Sequence, residues 1–230
     1  MAGKLIVIEG LDGTGKATQT KLLIKKLKKE GYKIALFDFP QYHKFFGQMV
    51  GTYLRGEFGK AHEVNPYFAS MLYAFDRWSV AEKIKKEIKS GKTVLCNRYS
   101  TANFLHQSGK LKNKTEKNKF LKWLEYLEFN FLKIPRPDLV IFLKVPPYLG
   151  QKLVKKKNRR AYLRGKKNDI HEKSRSHLTD AEREAPQLIK KFGWQKIDCL
   201  KDKKLLTKEE IAQMIWSTLR KYKIIRNYEI

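Results

Sequence analysis

Residues 10–16, Gly10-Leu11-Asp12-Gly13-Thr14-Gly15-Lys16, match the pattern G-x-x-x-x-G-K. Glycines at these positions let successive backbone N–H groups converge on phosphate oxygens. A helix starting just after them adds its partial positive charge, and Lys16 adds a full one. The aliphatic run Leu5-Ile6-Val7-Ile8 precedes the loop, and Leu22, Leu23 and Leu27 recur at helical spacing after it. An ordinary glycine turn needs neither the lysine nor that frame. The pattern therefore predicts a nucleoside triphosphate site, with Gly10, Leu11, Asp12, Gly13, Thr14, Gly15, Lys16, Ala17 and Thr18 as its ATP-binding residues. Ala17 stands where such loops usually carry the hydroxyl that binds Mg²⁺, and Thr18 comes one residue late. Mg²⁺ must then lean on another ligand or on water.

Other residues are suited to the same chemistry. Tyr73 and Arg77 are four apart, so they share one helix face. Arg98 follows the run Thr93-Val94-Leu95-Cys96, at a strand end where parallel sheets bind ligands. Positions 11–14 hold no arginine or lysine, so the cation for a transferring phosphoryl group must come from elsewhere. The basic, glycine-containing stretch 158–168 is the expected donor, a lid carrying Arg160 and Arg164, which the sequence does not rank. The alternative is a solvated basic surface loop.

The elements that must position these residues alternate. Strand-like segments at 5–8, 34–37, 93–96, 139–143 and 196–200 are separated by helical patterns. The expected helices run over about 18–30, 66–90, 117–132, 147–157 and from about Ile170. A further, final helix opens at Thr207-Lys208-Glu209-Glu210, a Thr-x-x-Glu capping box. Such alternation implies right-handed βαβ crossovers. The fold class expected is α/β: a three-layer, five-stranded, mostly parallel sheet with helices on both faces and a mobile lid, all in one domain over 1–230.

Composition narrows the class. With 230 residues the chain can bury a real core, and 42% apolar residues exclude a disordered tail. No apolar run approaches the ~20 residues needed to cross a bilayer, so no membrane partner is expected. The first residues run straight into a strand, so no signal peptide is expected. Two cysteines, Cys96 and Cys199, without paired spacing exclude a disulfide scaffold and fit a cytoplasmic location. The net charge is +27. It reads either as a surface for polyanions or as lysine-rich usage spread along the chain. The spread favours usage, so nucleic acid is not the expected partner. No N-K-x-D guanine motif occurs.

Taken in order, these motifs resemble those of the thymidylate kinase family of small phosphate-loop kinases. The resemblance runs from Lys4 to Trp216 and is carried by 8–19, Phe39-Pro40, Tyr73-Ala74-Phe75-Asp76-Arg77, Asn97-Arg98-Tyr99, Asn103, Gln107, Pro137-Asp138-Leu139 and Asp169-Ile170-His171-Glu172. It implies transfer of the γ-phosphoryl group of ATP to dTMP, with Mg²⁺ accompanying ATP. It implies that Asp12 meets the sugar hydroxyl and the metal shell, with Thr18 a weaker metal candidate. Arg98 would hold the acceptor phosphate beside Phe39, Pro40 and Tyr42. Tyr73 would stack on the pyrimidine, and Arg77, Asn103 and Gln107 would read its edge. His106 would stand near the sugar, or be a satisfied surface histidine. Asp169 and Glu172 would anchor the lid or the acceptor. Relatives pair as homodimers, and Phe68, Met71, Leu72 and Phe75 form the candidate face. Lys16, Arg98, Arg160 and Arg164 would be the catalytic cations. Asn97 departs from the family's aspartate at that position. The alternatives are a kinase for another pyrimidine nucleotide or deoxynucleoside, and a low-activity nucleic-acid-binding protein.

Overall fold

The computed structural model describes residues 3–155, 161–163, 165, 169–173 and 175–226. Strand β1 (Leu5–Glu9) and helix α1 (Lys16–Lys29) flank the glycine loop, and β2 (Ile34–Asp38) follows. Helices α2 (Phe45–Leu54), α3 (Pro66–Trp78) and α4 (Ala81–Lys89) lead to β3 (Thr93–Asn97). Next come α5 (Ser100–Ser108), α6 (Lys114–Glu125) and a π-helical turn over Tyr126–Phe131. Then β4 (Leu139–Lys144), α7 (Pro147–Lys155), a short 3₁₀ turn at Ala161–Leu163, α8 (Ile170–Lys173) and α9 (Arg175–Phe192) bring the chain to β5 (Gln195–Asp198). A two-residue hairpin, β6 (Leu200–Lys201) and β7 (Lys204–Leu205), precedes α10 (Lys208–Lys221).

The five long strands form one sheet in the order β2-β3-β1-β4-β5, and all its pairings are parallel. Parallel sheets need both faces covered, which is why β1 and β4 read as unbroken aliphatic runs. The alternation of β1 sorts the layers. Ile6 and Ile8 pack with Leu23 and Leu27 of α1 and Ile211, Ile215 and Trp216 of α10. Leu5 and Val7 pack with Ala74 of α3, Ile84 of α4, Phe104 of α5, Phe120 of α6 and Leu188 of α9. Each such aliphatic side chain, fully buried, contributes about 1.5–3 kcal/mol.

Several expectations are corrected in detail. The helix expected over 66–90 is two helices, because Ser79 and Val80 close α3 and start α4. The helix expected over 117–132 begins at Lys114, under an Asn113 cap, and turns π-helical after Glu125. Phe131, expected on the buried stripe, is 65% exposed, while Glu128 is fully buried. The wider turn changes the angular spacing, so the apolar period of α6 does not carry through it. Helix α2, not expected at all, packs on α3 through Val50, Tyr53, Leu54, Ala69 and Leu72. Leu72 is thus a core residue and not part of a dimer face. The capping box at Thr207 and Glu210 is present as expected. No helix among the described residues is long and apolar enough to cross a membrane.

Candidate active site

The carboxyl ends of β1, β2 and β3 open into one cavity of about 260 Å³. At one end lies the glycine loop. Gly10, Gly13 and Gly15 all take positive φ, which only glycine adopts freely. Gly15 caps α1 with no side-chain cap bond among the described residues, and no acidic residue occupies the first turn, so the first turn offers its N–H groups to an anion. The Lys16 ammonium folds back to donate to the Gly10 and Leu11 carbonyls, each at 2.7 Å. Ala17 lines the cavity, while Thr18 is exposed on α1 and does not. Thr18 is therefore not positioned to reach a metal in this cavity.

Arg98 sits at the middle. Its backbone is left-handed at φ 64°, a strained conformation for a residue with a Cβ and one that clusters at functional sites. Its guanidinium ion-pairs with Asp12 and lies 3.3 Å from Nε2 of His106. Burial pushes the Asp12 carboxyl up, but Arg98 and Lys16 pull harder and hold it well below the usual range. Asp12 is thus ionised and engaged. Asn97 donates through Nδ2 to Oδ1 of Asp38 at 2.8 Å, across the β2–β3 pairing.

The other end is lined by Phe39, Pro40, Tyr42, Tyr73, Arg77, Asn103 and Gln107. The structure brings all these expected acceptor residues together. Arg77 is wholly buried. Its Nε donates to Glu128 at 2.9 Å, its Nη2 also meets that carboxylate, and its Nη1 reaches the Tyr99 carbonyl at 3.4 Å. Asn103 donates to the Ser70 carbonyl at 3.0 Å and to Glu128 at 3.1 Å. It lies within α5. Glu128 therefore fixes two of the polar groups that line the aromatic compartment, Arg77 and Asn103, and it was missed from the sequence. Its signal was an acid set directly between Leu127 and Phe129. Tyr42 stacks on Tyr162 with ring centroids 4.0 Å apart, and the Tyr162 hydroxyl donates to Asp169 at 3.0 Å. Tyr162 thus joins the stretch after α7 to Tyr42 in the cavity wall, and Asp169 holds the Tyr162 hydroxyl. Glu172 lies in α8, and its side chain is outside the described residues, as are Arg160 and Arg164.

His106 does not lie on the surface. It stacks with His171 and His177, at centroid separations of 5.7 and 5.4 Å, and those two are 4.2 Å apart. All three are buried. Burial, helped by Arg98 and by the neighbouring rings, pushes every one of their pKa values down, that of His177 to about 2. The unfolded chain takes up protons on these rings below about pH 6.5 and the folded chain does not. Stability is therefore full above that pH and falls as the pH drops. Each ring costs at most about 1.4 kcal/mol per pH unit. Melting curves at pH 7.5 and 5.5 should show a loss at the lower pH that His106→Phe reduces. An equal loss in that variant would assign the acid sensitivity elsewhere.

A family model described as thymidylate kinase matches residues 8–211. The thymidylate kinase of Schizosaccharomyces pombe is 34% identical over 148 residues, 64% of this chain and 64% of that protein. That of Plasmodium falciparum is 34% identical over 150 residues, 65% of each. The alignments thus span just under two thirds of these curated relatives. Among solved structures, thymidylate kinase from Candida albicans superposes with a TM-score of 0.71 at 21% identity, covering 98% of this chain and 96% of that one, a likeness of fold. The glycine loop, the sheet order, the cavity and the match across 8–211 converge: the chain belongs to the thymidylate kinase family.

Proposed function

We propose that this chain transfers the γ-phosphoryl group of ATP to dTMP, giving dTDP. The observation that supports it best is a single cavity joining the glycine loop and Lys16 to an aromatic and amide compartment, with Arg98 between them. Arg98 takes the acceptor monophosphate, exchanging its ion pair with Asp12 for the phosphate's forked contact. Lys16 leaves the loop carbonyls for the β and γ phosphates. Tyr73 supports the pyrimidine ring, and Asn103 and the Glu128-held Arg77 present fixed polar groups to its edge. The acceptor phosphate is already ionised at neutral pH, so no general base is required, and positioning with charge neutralisation carries the step.

A divalent cation would neutralise charge on the transferring group. The cavity suits one: it offers the carboxylates of Asp12 and Asp38, and Asn97 keeps a buried Oδ1 with no hydrogen-bond partner among the described residues. The same reading takes 1–230 as one kinase domain and Arg160 and Arg164 as the lid cations. It also takes the exposed aromatics Phe45 and Phe68, of α2 and α3, as part of a homodimer face. A panel of dTMP, dUMP, dCMP, UMP and dGMP with Mg²⁺-ATP tests it. The highest kcat/KM belongs to dTMP on this reading. Turnover of another nucleotide in preference would reassign the acceptor, and none at all would overturn the activity.

A further inference from the structure

We infer that Asp38, positioned by Asn97, is the carboxylate that meets the hydration shell of the divalent cation carried by the bound nucleotide. This rests on the kinase reading and adds to it a residue that sequence reasoning did not single out. Asp38 and Asn97 end β2 and β3 and face each other in register, at the sheet edge where the cavity opens. Asn97 has no charge to offer a cation, yet its Nδ2 fixes one oxygen of Asp38 at 2.8 Å. Before the acceptor binds, the other cavity carboxylates are engaged. Asp12 is ion-paired with Arg98, and Asp169 accepts from Tyr162. Glu9, behind the loop, accepts from the Gly10 N–H and the Thr101 hydroxyl. Asp38 forms no ion pair among the described residues, although Arg98 and Lys16 are near enough to act on it electrostatically.

The chemistry of the pair follows. Mg²⁺ keeps several of its waters and binds through one or two carboxylates together with the substrate phosphates. A carboxylate beside an amide gives that shell one negative acceptor. It also leaves the buried Asn97 Oδ1, which has no hydrogen-bond partner among the described residues, to accept from a metal-bound water. Two carboxylates at the same separation would repel, so the strand ends hold one charge between them.

Mn²⁺ titrated into the full chain with a non-hydrolysable ATP analogue, read by water-proton relaxation, tests this without turnover or acceptor. Asp38→Asn should weaken Mn²⁺ binding to the nucleotide complex by about tenfold or more. The Mg²⁺ concentration for half-maximal turnover should rise in step, with the dTMP KM within about threefold of the parent. Adding Asn97→Asp to that variant reverses the pair, keeps its hydrogen bond and should recover most of the Mn²⁺ affinity. Circular dichroism and melting curves confirm folding in each case, and Asp38→Ser serves if the asparagine variant does not fold. Mn²⁺ affinity within about twofold of the parent in the folded single variant would overturn the proposal. So would a folded double variant no better than the single one. Failure of the parent to phosphorylate dTMP would strike the functional reading and leave the Mn²⁺ result standing.

Discussion

Lys16→Met should lower kcat by roughly 10³-fold or more, while the protein still folds. The magnitude follows from removing a full positive charge that acts on the transferring group in a water-poor cavity, comparable with the loss of an arginine finger. At about 1.4 kcal/mol per factor of ten, that is about 4 kcal/mol of transition-state stabilisation. The methionine keeps most of the buried stem. The fold loses the two bonds that the ammonium donates to the Gly10 and Leu11 carbonyls. A loss of roughly 1–2 kcal/mol is expected there, or a fall of a few degrees in melting temperature. Single-turnover kinetics beside a melting curve checks both. A kcat within about threefold of the parent would remove Lys16 from the chemistry.

The second large effect falls on Glu128. Glu128→Ala strands the Arg77 guanidinium in the core and takes an acceptor from Asn103. Breaking a buried pair by deleting one partner costs about 3–5 kcal/mol, since the remaining charge is left without compensation. At about 2–4 °C per kcal/mol for a chain of this size, melting should fall by roughly 10 °C. The double change Glu128→Leu with Arg77→Met removes both charges, and much of the stability should return. Binding should not return with it. The dTMP KM of the double variant should stay raised by about tenfold or more, because the fixed polar edge of the compartment is gone. Recovery of both properties together would make Glu128 a structural residue only. Recovery of neither would show that packing, and not charge pairing, dominates at this point.

The uneven legibility of the chain has physical causes. The glycine loop was readable because strand, turn and helix are contiguous and each constrains the others. Arg98 and Tyr73 were readable from their places on a strand end and a helix face. Glu128 was not, because a helical period predicts its neighbours and the π-helical turn breaks that period. Helix α2 was hidden by Gly47 and Gly51, which a propensity reading treats as breakers. The structure shows why glycine is needed at one of them: a Cβ on Gly47 would lie 1.9 Å from the Gln41 carbonyl oxygen. The histidine trio was invisible because His106 of α5, His171 of α8 and His177 of α9 meet only through tertiary packing. Asp38 and Asn97 become neighbours only through the β2–β3 register.

The glycine loop also touches the start of the stretch expected to close over it. Gly150 lies in α7, the helix that runs into that stretch, and there the two backbones meet directly. A Cβ on Gly13 would come 2.1 Å from the Gly150 oxygen, and one on Gly150 would come 2.4 Å from the Asp12 oxygen. Neither clash ends in a flexible side chain that can swing away, so any gain of bulk at Gly150 must move the phosphate cradle. For mutagenesis this is a coupling with no escape at a single site. Libraries that diversify α7 to alter lid behaviour should hold 150 fixed, since its variants will be scored as catalytic failures whatever the lid does. The same contact gives a rigid mechanical route by which a shift in α7 is felt at the phosphates without passing through a side chain.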